Sequence, residues 1–233
     1  MDVGDEYERV RQRFVATMRT AGDARAATPV AASPAWTVRD VLAHVIGLCS
    51  DLNSLHFPDV DDQGGNGWTA LQVATRRGRA LDDLLAEWDR EAPTFAAGLR
   101  EFGYEFGCHF VADLHAHHQD VRVALGLTAD DDPVTVAMSL HHYLAFTDEV
   151  LSTASWGTLE VVVDADRRFL GGNQAPRASV TATPFDLLRA LSGRRTRDQI
   201  LRFEWSGDAE GALAAIEGGF AGNYAFPTAP VEA

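Results

Sequence analysis

Three residues of this sequence have the types and spacing of a metal site: His44, Asp113 and His117. Asp113 and His117 lie four positions apart, and residues at that spacing share one face of an α-helix. With His44 from a neighbouring helix they supply two imidazoles and one carboxylate, a donor set that leaves coordination positions for water or a substrate. The alternative is chance, because the chain has 8 histidines and 34 acidic residues.

The segment Cys108–Gly126 is predicted to be the helix that carries Asp113 and His117. Its apolar residues recur at helical spacing and define a buried stripe. These residues are Phe110, Leu114, Val121 and Leu125. Asp113 and His117 lie along the edge of the stripe, where their side chains can reach a bundle interior. His115 lies away from the stripe and is expected to be solvated.

His44 is predicted to lie on a helix that begins at Val38. Thr37 can act as its N-cap, and Asp40 three residues later completes a capping box in which Asp replaces the usual Glu. The core face consists of Val38, Val41, Leu42, Val45, Cys49 and Leu52. His44 flanks this face, so its ring can point toward the interior of a bundle. The alternative is a boundary histidine that is hydrogen-bonded to a neighbour.

The rest of the sequence predicts more helices, followed by a region of mixed structure. Helical periodicity covers residues 5–20, 38–53, 68–99, 108–125 and 134–153. Pro93 is expected to break or kink the third of these helices. Strands are predicted at 158–164, 178–182 and 200–205, and helices from Pro184 and over 209–217. We therefore predict an α+β protein, with a four-helix bundle over residues 1–155 and a smaller α/β domain over residues 156–233.

Composition excludes several classes of partner. The formal net charge is -14, which argues against nucleic acid and anionic membranes because phosphate binding needs clustered Lys and Arg. There is no run of 18 apolar residues and no signal-peptide pattern, so a cytoplasmic protein is expected. Cys49 and Cys108 lack a metal-type spacing and are interpreted as buried thiols in a reducing compartment. The loop at residues 57–67 is long enough to cover a site.

Three segments resemble the mycothiol-dependent maleylpyruvate isomerase family, whose N-terminal domain is a DinB-like metal-binding bundle. They are Ser33–His44, Asp113–Gly126 and Thr183–Arg194, the last followed by Trp205-Ser-Gly-Asp208. The resemblance covers nearly the whole chain. It implies that His44, Asp113 and His117 are metal ligands, with zinc the usual metal, and that Asp120 orients His117 from a second shell. The family often has Glu where this chain has Asp113, a carboxylate shorter by one methylene.

The resemblance also implies a function. A metal with open positions binds the thiol of mycothiol and lowers its pKa, which gives a nucleophile at neutral pH. Addition to a conjugated double bond followed by elimination is isomerisation, whereas displacement or epoxide opening is S-transfer. We therefore expect an isomerase or thiol S-transferase, monomeric or homodimeric, that acts on a small electrophile bearing a carboxylate.

Candidates for cofactor and substrate binding lie in the later part of the chain. His141 and His142 are interpreted as pocket-lining or polar-face residues of a helix. The isomerase of this family uses an arginine near its end, but no arginine follows Arg202 here. Arg194, Arg195, Arg197 and Arg202 are therefore the candidates for holding a substrate carboxylate.

Two other functions remain open from the sequence. One is a non-catalytic DinB-like protein that binds a metal or a small molecule, which the change at Asp113 and the missing arginine both favour. The other is a biosynthetic metalloenzyme that does not use a thiol. Two histidines and one carboxylate also suit Fe(II), so iron is the alternative metal.

Overall fold

The computed structural model describes residues 2–58, 66–219 and 226–232. The chain divides into two compact units, residues 1–130 and 131–233. In its described residues the first unit is helical apart from a short β-ribbon, and the second unit mixes α and β structure. This confirms the predicted α+β class. Most of the loop that was expected to cover a site lies outside the described residues.

The first unit is a helical bundle. Its described elements are α1 (Val3–Ala26), β1 (Pro29–Val30), β2 (Ser33–Thr37), α2 (Val38–Ser54), α3 (Asn66–Ala74), α4 (Leu81–Phe102) and α5 (Tyr104–Ala124). The long helices α1, α2, α4 and α5 pack against one another, α3 packs on α2, and β1 pairs with β2. Trp88 is fully buried in the core, next to Phe14. The predicted four-helix bundle is therefore confirmed.

Local signals explain where α2 begins and where the third predicted helix divides. The Thr37 and Asp40 side chains form the predicted capping box at the start of α2. The helix predicted over 68–99 is instead two helices, α3 and α4, because Gly78 between them has φ +80°, a value that an α-helix cannot contain. Pro93 lies inside α4 without ending it. The prediction of a break there was wrong, since apolar residues on both sides of the proline stay buried.

The second unit packs helices against a four-stranded mixed sheet. Its described elements are α6 (Pro133–Ala154), β3 (Leu159–Val163), β4 (Asp166–Leu170), β5 (Ala178–Ala182), α7 (Pro184–Leu191), α8 (Arg197–Ile200), β6 (Glu204–Gly207) and α9 (Ala209–Gly219). The strand order is β4-β3-β5-β6, with β3 parallel to β5 and the other pairs antiparallel. Helix α6 packs against α7, α9 and β4. For this reason the division between the units falls before α6, earlier than the boundary predicted at 155/156.

Two strands of the second unit differ from the predictions. Residues 200–205 were predicted as a strand, but Thr196 and Gln199 form a capping box that starts the short helix α8, and β6 begins at Glu204. Strand β4 was not predicted, because it is an edge strand in which Leu170 alone is buried and the other residues are exposed. Within the described residues, no helix has the length and apolarity needed to cross a membrane.

Candidate metal centre

His44, Asp113 and His117 converge in the first unit. One donor atom from each lies within 4.8 Å of the donors of the other two. His117 Nε2 is 3.5 Å from Asp113 Oδ1. Two donors bound to one zinc ion at about 2.1 Å with tetrahedral angles lie about 3.4 Å apart. The three side chains could therefore hold a metal ion with little movement.

Helix packing explains this convergence. His44 lies on α2, while Asp113 and His117 are one turn apart on α5, and the two helices are in contact. The His44 and His117 rings meet edge to face, with centroids 4.9 Å apart. Trp36 of β2 packs against both rings, at centroid distances of 5.3 and 6.2 Å. The indole therefore forms an apolar wall beside the cluster.

Each imidazole turns its Nδ1 atom toward an oxygen. His44 Nδ1 is 2.8 Å from Gln72 Oε1. His117 Nδ1 is 3.7 Å from Oδ2 of the buried Asp120. Metal-binding histidines usually donate their second N–H to such an oxygen, which fixes the tautomer and the ring orientation. The arrangement leaves the Nε2 atoms to face the cluster, and Asp120 occupies the position expected of an orienting carboxylate.

No sequence pattern indicated a role for Gln72. Its amide nitrogen donates to Asp51 Oδ2 over 3.2 Å, and Trp68 Nε1 donates to the same oxygen over 2.8 Å. A methyl group at Gly47 would lie 2.5 Å from Gln72 Cβ, so glycine there allows α3 to approach α2 closely. No motif connects Gln72 with His44, because their contact depends on how α3 packs.

The cluster is accessible from one side. The Asp113 side chain is 28% exposed and that of His117 11%, whereas His44 is buried. Asp113 is therefore the ligand candidate nearest to solvent. The cluster is therefore open to solvent on the side of this carboxylate.

Two other histidines of α5, His115 and His118, belong to a separate network. His115 is buried, and its Nε2 is 2.9 Å from the carbonyl oxygen of Asp130. The expectation that His115 is solvated was wrong, because a second face of α5 packs against α1 and β1. His118 is also buried: Nε2 is 3.0 Å from Thr17 Oγ1, Nδ1 is 3.2 Å from Asp130 Oδ2, and the ring stacks on Phe14.

This network predicts a dependence of stability on pH. The pKa of His118 is lowered, because burial penalises the imidazolium ion more than the Asp130 carboxylate favours it. An unfolded histidine has a pKa of about 6.5, so the unfolded chain binds more protons below that pH and stability falls as the solution is acidified. We expect the melting temperature to decrease between pH 7 and 5 and this slope to flatten in His118→Gln. Thermal denaturation with a chelator present measures it, and equal slopes in the two proteins would contradict the assignment.

Asp130 makes the stability of the fold depend on pH in a more acidic range as well. Burial raises its pKa, but the contacts with His118 and Arg13 outweigh burial and hold it well below the usual range. A carboxylate with a depressed folded-state pKa stabilises the fold above its unfolded value of about 3.9. That stabilisation is lost as the pH falls further toward the folded-state pKa.

The cofactor- and substrate-binding candidates lie in the second unit. His141 lines a cavity of 160 Å³ together with Asp166 and Arg168. The His142 ring packs edge to face on Tyr143. Arg194 donates to the Ser192 carbonyl.

Arg195 is paired with Glu232 and lies 3.4 Å from Asp186. Its guanidinium thus already binds carboxylates of the chain itself. The substrate-binding role of these four residues stays a prediction.

Neither cysteine is suited to act as a nucleophile. Burial raises the pKa of the Cys49 thiol to about 12 and also raises that of Cys108. The thiolate, the reactive form, is then about 0.01% of Cys49 at pH 8. We expect iodoacetamide to leave both thiols unmodified in the folded protein and to label both in urea, as shown by intact mass. An exposed cysteine introduced as Ser152→Cys is the control and should react promptly; rapid labelling of Cys49 in the folded protein would refute the expectation.

Comparison with known proteins found one family. Residues 7–122 match the model for the mycothiol maleylpyruvate isomerase N-terminal domain. The matched segment includes His44, Asp113, His117, Gln72 and Asp120. Comparisons with curated proteins and with solved structures found no match.

Proposed function

Through residues 7–122 this chain belongs to the family of mycothiol maleylpyruvate isomerase N-terminal domains, and from this membership we propose that it is a metal-dependent, thiol-dependent enzyme. Its substrates are mycothiol, a low-molecular-weight thiol, and a small electrophile. The observation that supports the proposal is the convergence of three donor atoms within 4.8 Å. The reaction is isomerisation when the thiol adds to a double bond and leaves again, and S-transfer when the adduct is released.

The donor set fits a divalent metal. Two imidazoles and one carboxylate from His44, His117 and Asp113 form the open kind of site, with zinc expected and iron the alternative. Such a metal, when bound, supplies the positive charge that lowers the pKa of a thiol. The oxygens beside the two Nδ1 atoms support this assignment, because Gln72 holds the His44 ring by a hydrogen bond and the Asp120 carboxylate lies 3.7 Å from Nδ1 of His117.

The side chains around the cluster have different roles in the proposed site. Gln72 accepts the Nδ1 proton of His44, and Asp120 faces Nδ1 of His117, so both Nε2 lone pairs point inward. Trp36 covers the two rings and excludes water from them. The thiol and the electrophile can reach the cluster from the side on which Asp113 is exposed.

A direct assay tests the proposal. Zinc-loaded protein is mixed with mycothiol and a panel of epoxides, alkyl halides and conjugated carboxylic acids, and the products are identified by mass spectrometry. We expect adduct or isomer to form faster than without protein and to stop when zinc is removed with a chelator. Zinc binding with no acceleration for any electrophile would instead indicate a non-catalytic binding protein. Acceleration that survives chelation would contradict the metal requirement.

Loss of the Gln72 acceptor is expected to weaken metal binding. In Gln72→Leu the His44 Nδ1 atom loses its partner and the ring is free to rotate, so zinc affinity should fall by about 10–100-fold, as for other outer-shell partners. Gln72→Glu combined with Asp51→Asn keeps an acceptor for His44 Nδ1 without placing two carboxylates against each other, and should retain most of the affinity. Competition with a chromophoric chelator measures both variants, and an unchanged affinity in Gln72→Leu would show that Gln72 does not position His44.

A further inference from the structure

An apolar cavity of 210 Å³ opens in the first unit, where α2 and α4 end and α5 begins. Five of the chain's 12 phenylalanines line it: Phe57, Phe95, Phe102, Phe106 and Phe110. Asn53 is the polar side chain among the described lining residues, and its amide nitrogen is already bonded to Glu91. A cavity of about 150 Å³ with such walls can hold a benzene molecule, so this one has room for a substituted aromatic ring.

Two residues beside this cavity, Gly98 and Leu55, are unfavourable for the local backbone structure. Gly98 lies inside α4, where alanine is more favourable, although a Cβ atom there would meet nothing within 4 Å. Leu55 has φ +53° at the end of α2, a left-handed conformation that usually takes Gly or Asn, and it is 75% exposed. Departures of this kind cluster at binding sites, where function outweighs local stability.

The cavity lies along the helix faces that carry the candidate metal ligands. On α5, residues 106, 110, 113 and 117 recur every three or four positions and so form one stripe, which leads from Phe106 to His117. On α2 the corresponding stripe leads from His44 through Leu48 and Leu52 to Leu55. At one end of the two stripes, His44 contacts His117. At the other end, residues of both stripes line the cavity, so the two stripes run side by side.

Two residues of the cavity wall also line a separate small pocket beside the cluster. Phe95 and Phe110 also line a small pocket of 10 Å³ that extends to Asp113. Phe110 and Asp113 are three residues apart, an axial rise of about 4.5 Å. A molecule with an aromatic ring in the cavity therefore needs about one further helical turn of length to reach the cluster.

We infer that the cavity holds an uncharged aromatic or alkyl group of the electrophile that reacts at the His44, Asp113 and His117 cluster; this rests on the proposed function. The group is uncharged because no charged side chain of the described residues lines the cavity, and an unpaired charge is unfavourable there. An aromatic ring suits the walls, since Phe102, Phe106 and Phe110 already pack at centroid distances of 5.0 and 5.2 Å.

A binding experiment tests the cavity without metal or thiol. We compare 4-fluorotoluene with 4-fluorobenzoate, the same ring with a charge, by fluorine NMR of the whole protein. Saturable binding of 4-fluorotoluene and at least tenfold weaker binding of 4-fluorobenzoate are expected. Equal binding of the two probes, or no binding of 4-fluorotoluene, would overturn the inference while leaving any metal and thiol results intact.

A variant that fills the cavity and a matched control variant test the same inference. Gly98→Leu places a side chain into the open space and should weaken 4-fluorotoluene binding at least tenfold. Gly218→Leu is the control, because Gly218 is also a helical glycine with nothing within 4 Å of its Cβ position but lies in α9. If Gly98→Leu does not fold, Phe102→Ala, which removes an exposed wall, should weaken binding in its place. Unchanged binding in the folded cavity variant would refute the site.

The substrate assignment is tested with two epoxides. 1,2-Epoxy-5-phenylpentane carries an aromatic ring that three methylene groups separate from the epoxide, a spacer about as long as one helical turn, and 1,2-epoxypentane carries the same epoxide without the aromatic ring. With mycothiol and zinc, the kcat/KM ratio of the phenyl epoxide to 1,2-epoxypentane should fall at least tenfold in Gly98→Leu and stay unchanged in Gly218→Leu. An unchanged ratio in Gly98→Leu would show that the cavity does not hold the electrophile. Probe binding without any thiol chemistry would overturn the proposed function and, with it, this substrate assignment.

Discussion

Replacing His117 with alanine is expected to remove the bound metal. His117 and Asp113 share one turn of α5 with donors 3.5 Å apart, so the variant loses one of the two imidazoles and leaves two donors. The loss of zinc affinity should exceed the about 10–100-fold that removal of an outer-shell partner causes. After dialysis, elemental analysis should find about one zinc per chain in the original protein, as in a mononuclear site, and almost none in the variant.

A histidine of the same helix provides the control. His109 is exposed on α5, and its ring packs on Phe110 rather than against the cluster. His109→Ala should therefore keep its zinc and its thiol-dependent activity, whereas His117→Ala loses both. Equal zinc contents in the two variants, whether high or negligible, would refute the assignment of His117 as a ligand.

Replacing Glu232 with glutamine is expected to destabilise the second unit strongly. Arg189 is 1% exposed and donates from Nε and a terminal nitrogen to the two Glu232 oxygens, each over 2.8 Å. Arg195 pairs with the same carboxylate. Breaking a buried pair leaves an uncompensated charge, which typically lowers the free energy of unfolding by about 3–5 kcal/mol. Urea denaturation followed by circular dichroism measures the difference.

A more exposed ion pair of the same unit is the matched control. Glu217 pairs with Arg197 over 2.7 Å, but both side chains are partly exposed. Solvent-exposed pairs contribute at most about 1 kcal/mol, so Glu217→Gln should change stability little. If Glu232→Gln were no more destabilised than Glu217→Gln, the buried pair would not hold residues 226–232 against the unit.

The Glu232 contacts also bear on substrate recognition. The sequence offered Arg194 and Arg195 as groups to bind a substrate carboxylate, because family resemblance required an arginine and none follows Arg202. In the structure Arg195 binds the Glu232 carboxylate, together with Arg189. Glu232 thus supplies, from within the chain, the kind of carboxylate that was expected from a substrate.

The candidate metal ligands could be predicted from the sequence because their signals are local or belong to a family. The spacing of Asp113 and His117 places both on one face of a helix, and the capping box of Thr37 and Asp40 fixes where α2 begins. Strand β5 and the start of α7 were predicted for similar reasons, since alternation and an N-cap followed by proline act within a few residues.

Other residues could not be predicted, because they depend on packing between distant segments. His115 has no local sign of burial, and its environment is set by Asp130 fifteen positions later. Strand β4 is an edge strand with mostly exposed residues, so it lacks the alternation that identifies a buried strand. Helix α6 has the periodicity of a bundle helix, yet its apolar residues pack in the second unit.

The sequence by itself determined where α1, α2, α5 and α6 lie, the caps of α2 and α7 and the face shared by Asp113 and His117, because hydrogen bonds between near neighbours and helical periodicity act over a few residues. Only the tertiary structure decided that His44 meets His117, that Gln72 Oε1 lies 2.8 Å from His44 Nδ1, and that five phenylalanines line a cavity along the same helix faces. Those contacts join segments far apart in the chain, and burial of apolar surface brings segments together without leaving a short-range pattern that identifies the partner.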